Sequence, residues 1–326
     1  MVEAIRQRGP AVWTITAALV LLSGPHAVAC PIPVFQFALE FWRVCPYEVV
    51  IHHNGELEGE HQAAADLLKQ ATRGEDRHAN IRLIWRDYSR ATISPPADVP
   101  LPFMELRYPS TSGIRESIWR GPLEENVAEQ LLHSPMRQKI AETLLDRHAA
   151  VWVLLESGNR REDGQARKLL EQELPRLEKT LKVPDPAEEY GLDSADIYTE
   201  IDFTLMTLSR NDPEERMLVQ MLLGSERDLK EYEDKPMVFP IYGRGRVMYA
   251  IVGDGINAWT LNAAGEFLTG PCSCMVKAQN PGVDLLTSFD WESQVEQRST
   301  YAVPYTPTAG GFLDRIREAE ERIQQE

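Results

Sequence analysis

Cysteine is scarce in this chain, with four among 326 residues, at Cys30, Cys45, Cys272 and Cys274. No two of them are spaced Cys-x-x-Cys, the arrangement that usually supports thiol-disulfide exchange. Gly-x-Ser-x-Gly, the P-loop and His-Glu-x-x-His are also absent, so no catalytic acid, base or nucleophile is assigned and no cofactor is expected. Basic residues are the minority, 34 Lys plus Arg against 50 Asp plus Glu, for a net charge of −16. That balance excludes nucleic acid as a natural partner and disfavours close approach of the protein body to anionic lipid. The apolar run near the start, Ala11 to Leu22, falls well short of the roughly 20 residues that cross a bilayer as a helix. Low-complexity sequence is missing apart from the ends of the mature chain.

The N-terminus is nevertheless informative. Arg6 and Arg8 precede the apolar run, and Ser23-Gly24-Pro25 leads into Ala27-Val28-Ala29-Cys30. A basic segment, an apolar segment and small residues in that order read as a signal peptide over 1–29, with cleavage between Ala29 and Cys30. Two routes stay open. Ala27-x-Ala29 suits ordinary signal peptidase, whereas Cys30 after a small residue suits lipid attachment to the thiol. No twin-Arg pair precedes the apolar run, so folding is expected after export, in an extracytoplasmic compartment (periplasm or cell envelope) where disulfides persist. Membrane attachment, if any, runs through Cys30 alone. Loss of Glu3, Arg6 and Arg8 with residues 1–29 takes the charge from −16 to −17.

With 43% hydrophobic residues the mature chain has material for a substantial core, and its length suggests two domains. Pro33 to Trp42 carries Phe35, Ala38, Leu39 and Trp42 at helical spacing. A strand at Tyr47 to Ile51, a helix from Glu58 to Ala71, and strands at Ile81 to Trp85, Met104 to Tyr108 and Ile118-Trp119 follow. Ser134-Pro135 starts a further helix, with serine as the cap and proline at the first position. A second round begins at the apolar strand Ala150 to Leu155. It continues with a helix from Glu162 to Leu181 that Pro175 is expected to kink, and a strand at Phe203 to Leu208. Asp212-Pro213-Glu214-Glu215 reads as a helix start capped by Asp212. Strands at Pro236 to Tyr242 and Arg246 to Val252 form a hairpin around Gly243-Arg244-Gly245, and a helix runs from Asn257 to Leu268. A docked or dimerising helix is expected over Phe312 to Glu326, behind a linker.

Each round runs strand, helix, strand, hairpin, helix, with an extra helix between the second and third strands of the second round, and prolines (Pro100 or Pro102, and Pro236) precede the third strand. This order resembles the thioredoxin fold. The resulting expectation is an α/β chain of two thioredoxin-like units in tandem: 30–149, then 150–296 with a Cys-x-Cys extension, then a linker and C-terminal helical tail over 297–326. With the segments Pro33-Val34-Phe35-Gln36-Phe37-Ala38-Leu39-Glu40-Phe41-Trp42 and Pro271-Cys272-Ser273-Cys274, the whole is similar to a family of exported bacterial proteins to which no activity is attached. The resemblance therefore implies export and fold but no reaction.

In redox proteins of the thioredoxin kind the thiols sit in the turn after the first strand. Here those turns read His52-His53-Asn54-Gly55-Glu56 and Glu156-Ser157-Gly158-Asn159-Arg160, without cysteine. Cys272 and Cys274 follow a helix C-terminus, where the dipole raises a thiol's pKa. Structural disulfides, for instance Cys45 to one of the pair, a redox pair and soft-metal binding are the open readings. His52, His53 and His61 among Glu56, Glu58 and Glu60 are candidate ligands for a divalent ion, against the plainer reading of a solvated acidic turn. The expected function is non-catalytic binding or scaffolding of a protein or small-molecule partner. The alternative is a thiol-disulfide oxidoreductase or thiol-based carrier using Cys272 and Cys274.

Overall fold

The computed structural model describes residues 30–72, 78–89, 91, 94–96, 99–184, 198–272 and 276–298. The expected signal peptide, Cys274 and all of the expected linker and C-terminal tail beyond Arg298 lie outside them. In chain order the elements are β1 (Cys30–Pro33), α1 (Val34–Phe41), β2 (Tyr47–His53), α2 (Gly59–Ala71), β3 (Ile81–Asp87), β4 (Phe103–Arg107), β5 (Ser117–Pro122), α3 (Glu125–Leu132) and α4 (Pro135–Leu145). There follow β6 (Ala150–Glu156), α5 (Arg160–Thr180), β7 (Phe203–Ser209), α6 (Arg216–Leu223), β8 (Met237–Tyr242), β9 (Arg246–Val247), β10 (Ile251–Val252), α7 (Ala258–Thr269), β11 (Pro271–Cys272), β12 (Val283–Asp284) and α8 (Trp291–Arg298). The chain is thus mixed α/β.

Two principal sheets carry the architecture. The first has the order β3-β2-β4-β5, with β2 parallel to β3 and antiparallel to β4, and β4 antiparallel to β5. The second has the order β12-β9-β8-β6-β7, with β6 parallel to β7 and antiparallel to β8. β6 is apolar along its length because both faces are covered. On one side lie α1, α5 and α7, whose Phe35, Leu170 and Leu261 pack with Trp152 and Leu154. On the other lie α4, α6 and α8, whose Ile140, Leu222 and Trp291 pack with Val151 and Val153. One face of the first sheet is covered by Ala64, Ala65 and Leu68 of α2 and Ala128, Leu131 and Leu132 of α3.

The two halves are interlocked in a way their sequence order conceals. α1 precedes the first sheet in the chain yet packs in the core of the second. α6 buries Met217, Leu218, Val219, Met221, Leu222 and Leu223 and leaves Arg216 and Gln220, one turn apart, toward solvent. Its Met217 and Met221 join the core of the first sheet, while Leu218, Val219 and Leu222 join that of the second. The segment 284–288 returns from the second sheet to the first and is bonded there at every residue. The Asp284 carbonyl accepts from Tyr47 Oη at 2.6 Å, and the carbonyls of Leu285 and Leu286 accept from Asn80 Nδ2 at 3.0 Å and Arg137 Nη1 at 2.5 Å. The Thr287 amide donates to Asn80 Oδ1 at 2.7 Å, and Ser288 Oγ to the Leu132 carbonyl at 3.0 Å.

Two local expectations are revised. The helix expected from Asp212 starts only at Arg216, and Glu215 reaches away to cap α4 instead, accepting from the Met136 amide at 2.6 Å and from Ser134 Oγ. The strand expected over Arg246 to Val252 is divided. β9 pairs Val247 with Ile241, β10 pairs Ile251 with Val238, and the one-residue slip between them is a bulge at 248–250. α5 runs through Pro175 to Thr180, held by the buried face Ala166, Leu170, Leu174 and Leu177. Ser134 does cap α4, accepting from the Arg137 amide, and the Leu101–Pro102 peptide bond is cis.

Candidate functional site

A cleft of about 460 Å³ is walled by residues from both halves of the chain. The first sheet contributes Cys45 from the loop before β2 and Pro109, Thr111, Ser112 and Ile114 from the loop after β4. The facing wall is the bulge Met248-Tyr249, Glu226, and the loop from Lys277 to Asp284. That loop is shaped by Arg246. Its Nε donates to the Pro281 carbonyl at 2.9 Å, its Nη2 to the Asn280 carbonyl at 2.8 Å, and its Nη1 to Asp284 Oδ1 at 3.2 Å. Gly282 has φ +104°, and a Cβ there would lie 2.0 Å from the Val247 carbonyl oxygen, so only glycine permits the close approach that closes the loop onto β9.

At the cleft floor Asp284 is buried and compensated from three sides. Arg246 and Lys277 pair with its carboxylate, and the Cys45 amide donates to Oδ2 at 2.7 Å. The donors of Arg246 are spent on the loop, so they hold the wall rather than face a ligand. Glu226 is the group left to do so. Its Oε1 accepts from the Ala250 amide at 2.7 Å, and burial pushes its pKa above the ordinary carboxylate value against the lowering effect of that bond. Tyr249, 59% exposed, stands on the rim.

The three histidines are dispersed. His53 Nδ1 lies 2.7 Å from the Gly55 carbonyl and His61 Nδ1 lies 2.8 Å from the Leu123 carbonyl. His52 belongs to a separate network on the face of the first sheet opposite α2 and α3. Glu105 stands on that face, its carboxylate taking Arg107 at 2.7 Å, Arg120 at 3.1 Å and His52 Nε2 at 3.2 Å. His52 Nδ1 is 2.9 Å from Tyr88 Oη, and its ring stacks on Phe103 at 4.2 Å. A neutral imidazole satisfies every partner: Nε2–H donates to the carboxylate and Nδ1 accepts from the phenol. Among the described residues no group of three or more His, Cys, Asp or Glu side chains is arranged to hold a metal ion.

The network makes stability depend on pH. Burial alone would raise the Glu105 pKa, but the hydrogen bonds and charges of Arg107 and Arg120 outweigh it and hold the group at about 2, against 4.5 ordinarily. Burial lowers the His52 pKa below 6.5, more than its bond to Glu105 raises it. In both cases the unfolded chain binds the proton more readily, so stability rises with pH across each window. We expect stability to fall from pH 6.5 downward through His52, then from 4.5 toward 2 through Glu105. Urea unfolding of wild type and His52→Gln between pH 4.5 and 7 checks the upper window; identical slopes would refute the assignment.

Of the remaining residues singled out in the sequence, Cys45 lines the cleft, Cys272 is buried on β11, Cys30 begins β1, and Ala29 and Cys274 lie outside the described residues. Arg244 anchors α1: Nε and Nη2 donate to the Leu39 and Glu40 carbonyls at its C-terminal end, and Nη1 pairs with Glu292 at 2.8 Å. No described helix is long and apolar enough to cross a membrane. Comparison with models of known families, with curated proteins and with solved structures finds no match.

Proposed function

We propose that this chain is an extracytoplasmic, non-catalytic binding protein built from two thioredoxin-like units in tandem, with its ligand cleft between them. The observation that carries the reading is the cleft itself, walled by both halves of the chain and furnished with an apolar bulge, the hydroxyls of Thr111 and Ser112 and the Glu226 carboxylate. The tandem reading is supported by the common strand plan. In each sheet a central strand, β2 or β6, has a parallel neighbour across a helical connection and an antiparallel neighbour that begins a hairpin. The ligand is a small molecule or partner side chain with an apolar body and a nitrogen donor for Glu226. Exchange chemistry at Cys272 would need a thiol within reach of a substrate disulfide, and that residue is 1% exposed.

The test uses Thr111→Trp, which places bulk at an exposed position on the cleft wall. Amine- and amide-bearing compounds are screened by thermal shift, and Cys45 reports occupancy through its rate of maleimide labelling. A ligand at one hundred times its Kd is expected to stabilise the wild type by about 2.7 kcal/mol. It should slow Cys45 labelling and lose at least tenfold in affinity toward Thr111→Trp. Compounds that stabilise both proteins equally and leave Cys45 unprotected would show that ligands bind elsewhere.

A further inference from the structure

β1 and β11 form a two-stranded antiparallel ladder of their own, irregular between Cys30 and Pro33, in which the Cα atoms of Cys30 and Cys272 are partners. Opposed residues in such a ladder have Cα atoms about 4.5–5.5 Å apart. That separation lies inside the roughly 4.4–6.8 Å a disulfide spans. Cys45, by contrast, sits in the loop before β2 with its amide committed to Asp284, in the wall of the cleft. We propose that Cys30 and Cys272 are joined by a disulfide that fastens the first residue of the mature chain to the strand after α7. Each thiol gives up its proton, the two sulfurs bond, and the two electrons pass by exchange to the disulfide of a protein dithiol oxidase, which leaves as a dithiol.

The bridge decides between the two processing routes that the sequence leaves open, because a sulfur in a disulfide cannot also carry a thioether-linked lipid. Packing after Cys30 points the same way. Ile32 is fully buried, Val34 is buried as well, and the Val34 amide donates to the Gly270 carbonyl at 3.0 Å. Two residues of strand reach only about 7 Å, so acyl chains on Cys30 would be held against the protein body with no tether to a bilayer. The burial of Cys272 has a kinetic corollary: the bridge forms while β1 is still open and is then shielded from external thiolates.

The inference rests on the proposed export, since the bond needs an oxidising compartment. The full chain is recovered from a host envelope, digested without reduction and mapped by mass spectrometry, with Cys274→Ser and Cys272→Ser run alongside. The expected result is a peptide beginning at Cys30 linked to the peptide containing 272–274, a link that survives Cys274→Ser and is lost in Cys272→Ser. A second readout does not depend on the variants folding. In denaturant without reductant, wild type should label at Cys45 and Cys274 only, whereas Cys30→Ser should label additionally at Cys272. Reduction in denaturant followed by refolding should lower the wild-type Tm by about 5 °C or more and leave that of Cys30→Ser unchanged. A diacylglyceryl mass on Cys30, a Cys272–Cys274 bridge, or a cleaved chain whose Cys30 labels without reduction would each overturn the bridge alone. Recovery of the uncut chain from Met1 with reduced thiols would overturn both the bridge and the export it rests on.

Discussion

Asp284→Ala should be among the most damaging single substitutions in the protein, lowering unfolding free energy by about 3–5 kcal/mol. The carboxylate is 2% exposed, and its partners Arg246 and Lys277 are 9% and 18% exposed at their side chains, so water offers little relief when it is removed. The buried Arg246, the half-buried Lys277 and the Cys45 amide lose their counterpart together. For a chain of this size the loss corresponds to a fall in Tm of roughly 2–4 °C per kcal/mol. Asp284→Asn should lose less, because its amide oxygen still accepts from the Cys45 amide while the charge is gone. Urea denaturation of the three proteins at pH 7 measures both effects. A loss under about 1 kcal/mol for the alanine variant would mean that the cations find other partners.

Asn80→Ala is expected to cost about 3 kcal/mol, for a different reason. The side chain spends three hydrogen bonds on two segments that are distant in sequence: Nδ2 on the Cys45 and Leu285 carbonyls, each at 3.0 Å, and Oδ1 on the Thr287 amide. Truncation leaves these backbone groups without a partner in the interior, at about 1–3 kcal/mol for each that water cannot reach. Asn80→Asp separates the contributions, since it retains the acceptor for Thr287 and loses both donors. Because Asn80 and Asp284 hold the same crossing segment, the double alanine variant should lose less than the sum of the two single losses. Additivity within about 0.5 kcal/mol would show that the two ends of the segment act independently.

Much of the secondary structure is legible in the sequence because it is encoded locally. β6 announces itself as an unbroken apolar run, α4 by its Ser134-Pro135 start, and α2 and α7 by helical spacing that the structure reproduces to within a residue or two. Where the reading fails, a distant partner is responsible. Glu215 looks like the fourth residue of a capping signal, yet its carboxylate binds the start of α4, 79 and 81 residues away. The strand after Gly245 looks continuous, but the bulge at 248–250 turns its middle residues into the cleft wall. The site was less legible than the fold. His52 stands out by composition, whereas its partner Glu105 lies on β4 and depends on Arg107 and Arg120, which share a face only once β4 and β5 are in register. Arg246 and Asp284 are 38 residues apart, and no spacing rule connects them.

The return of segment 284–288 to the first sheet also sets a timetable. Tyr47, Asn80 and Arg137 are made early, but their acceptors on the segment follow 237, 205 and 149 residues later. As the chain is delivered into the compartment where it folds, the Arg137 guanidinium waits for 149 further residues before the Leu286 carbonyl arrives. Until then the first sheet has an unfilled slot, lacking Leu286 and the α6 methionines that complete its core. A chain emerging N-terminus first therefore cannot finish its first half before its second, and a premature stop at any point before Leu286 leaves both halves open.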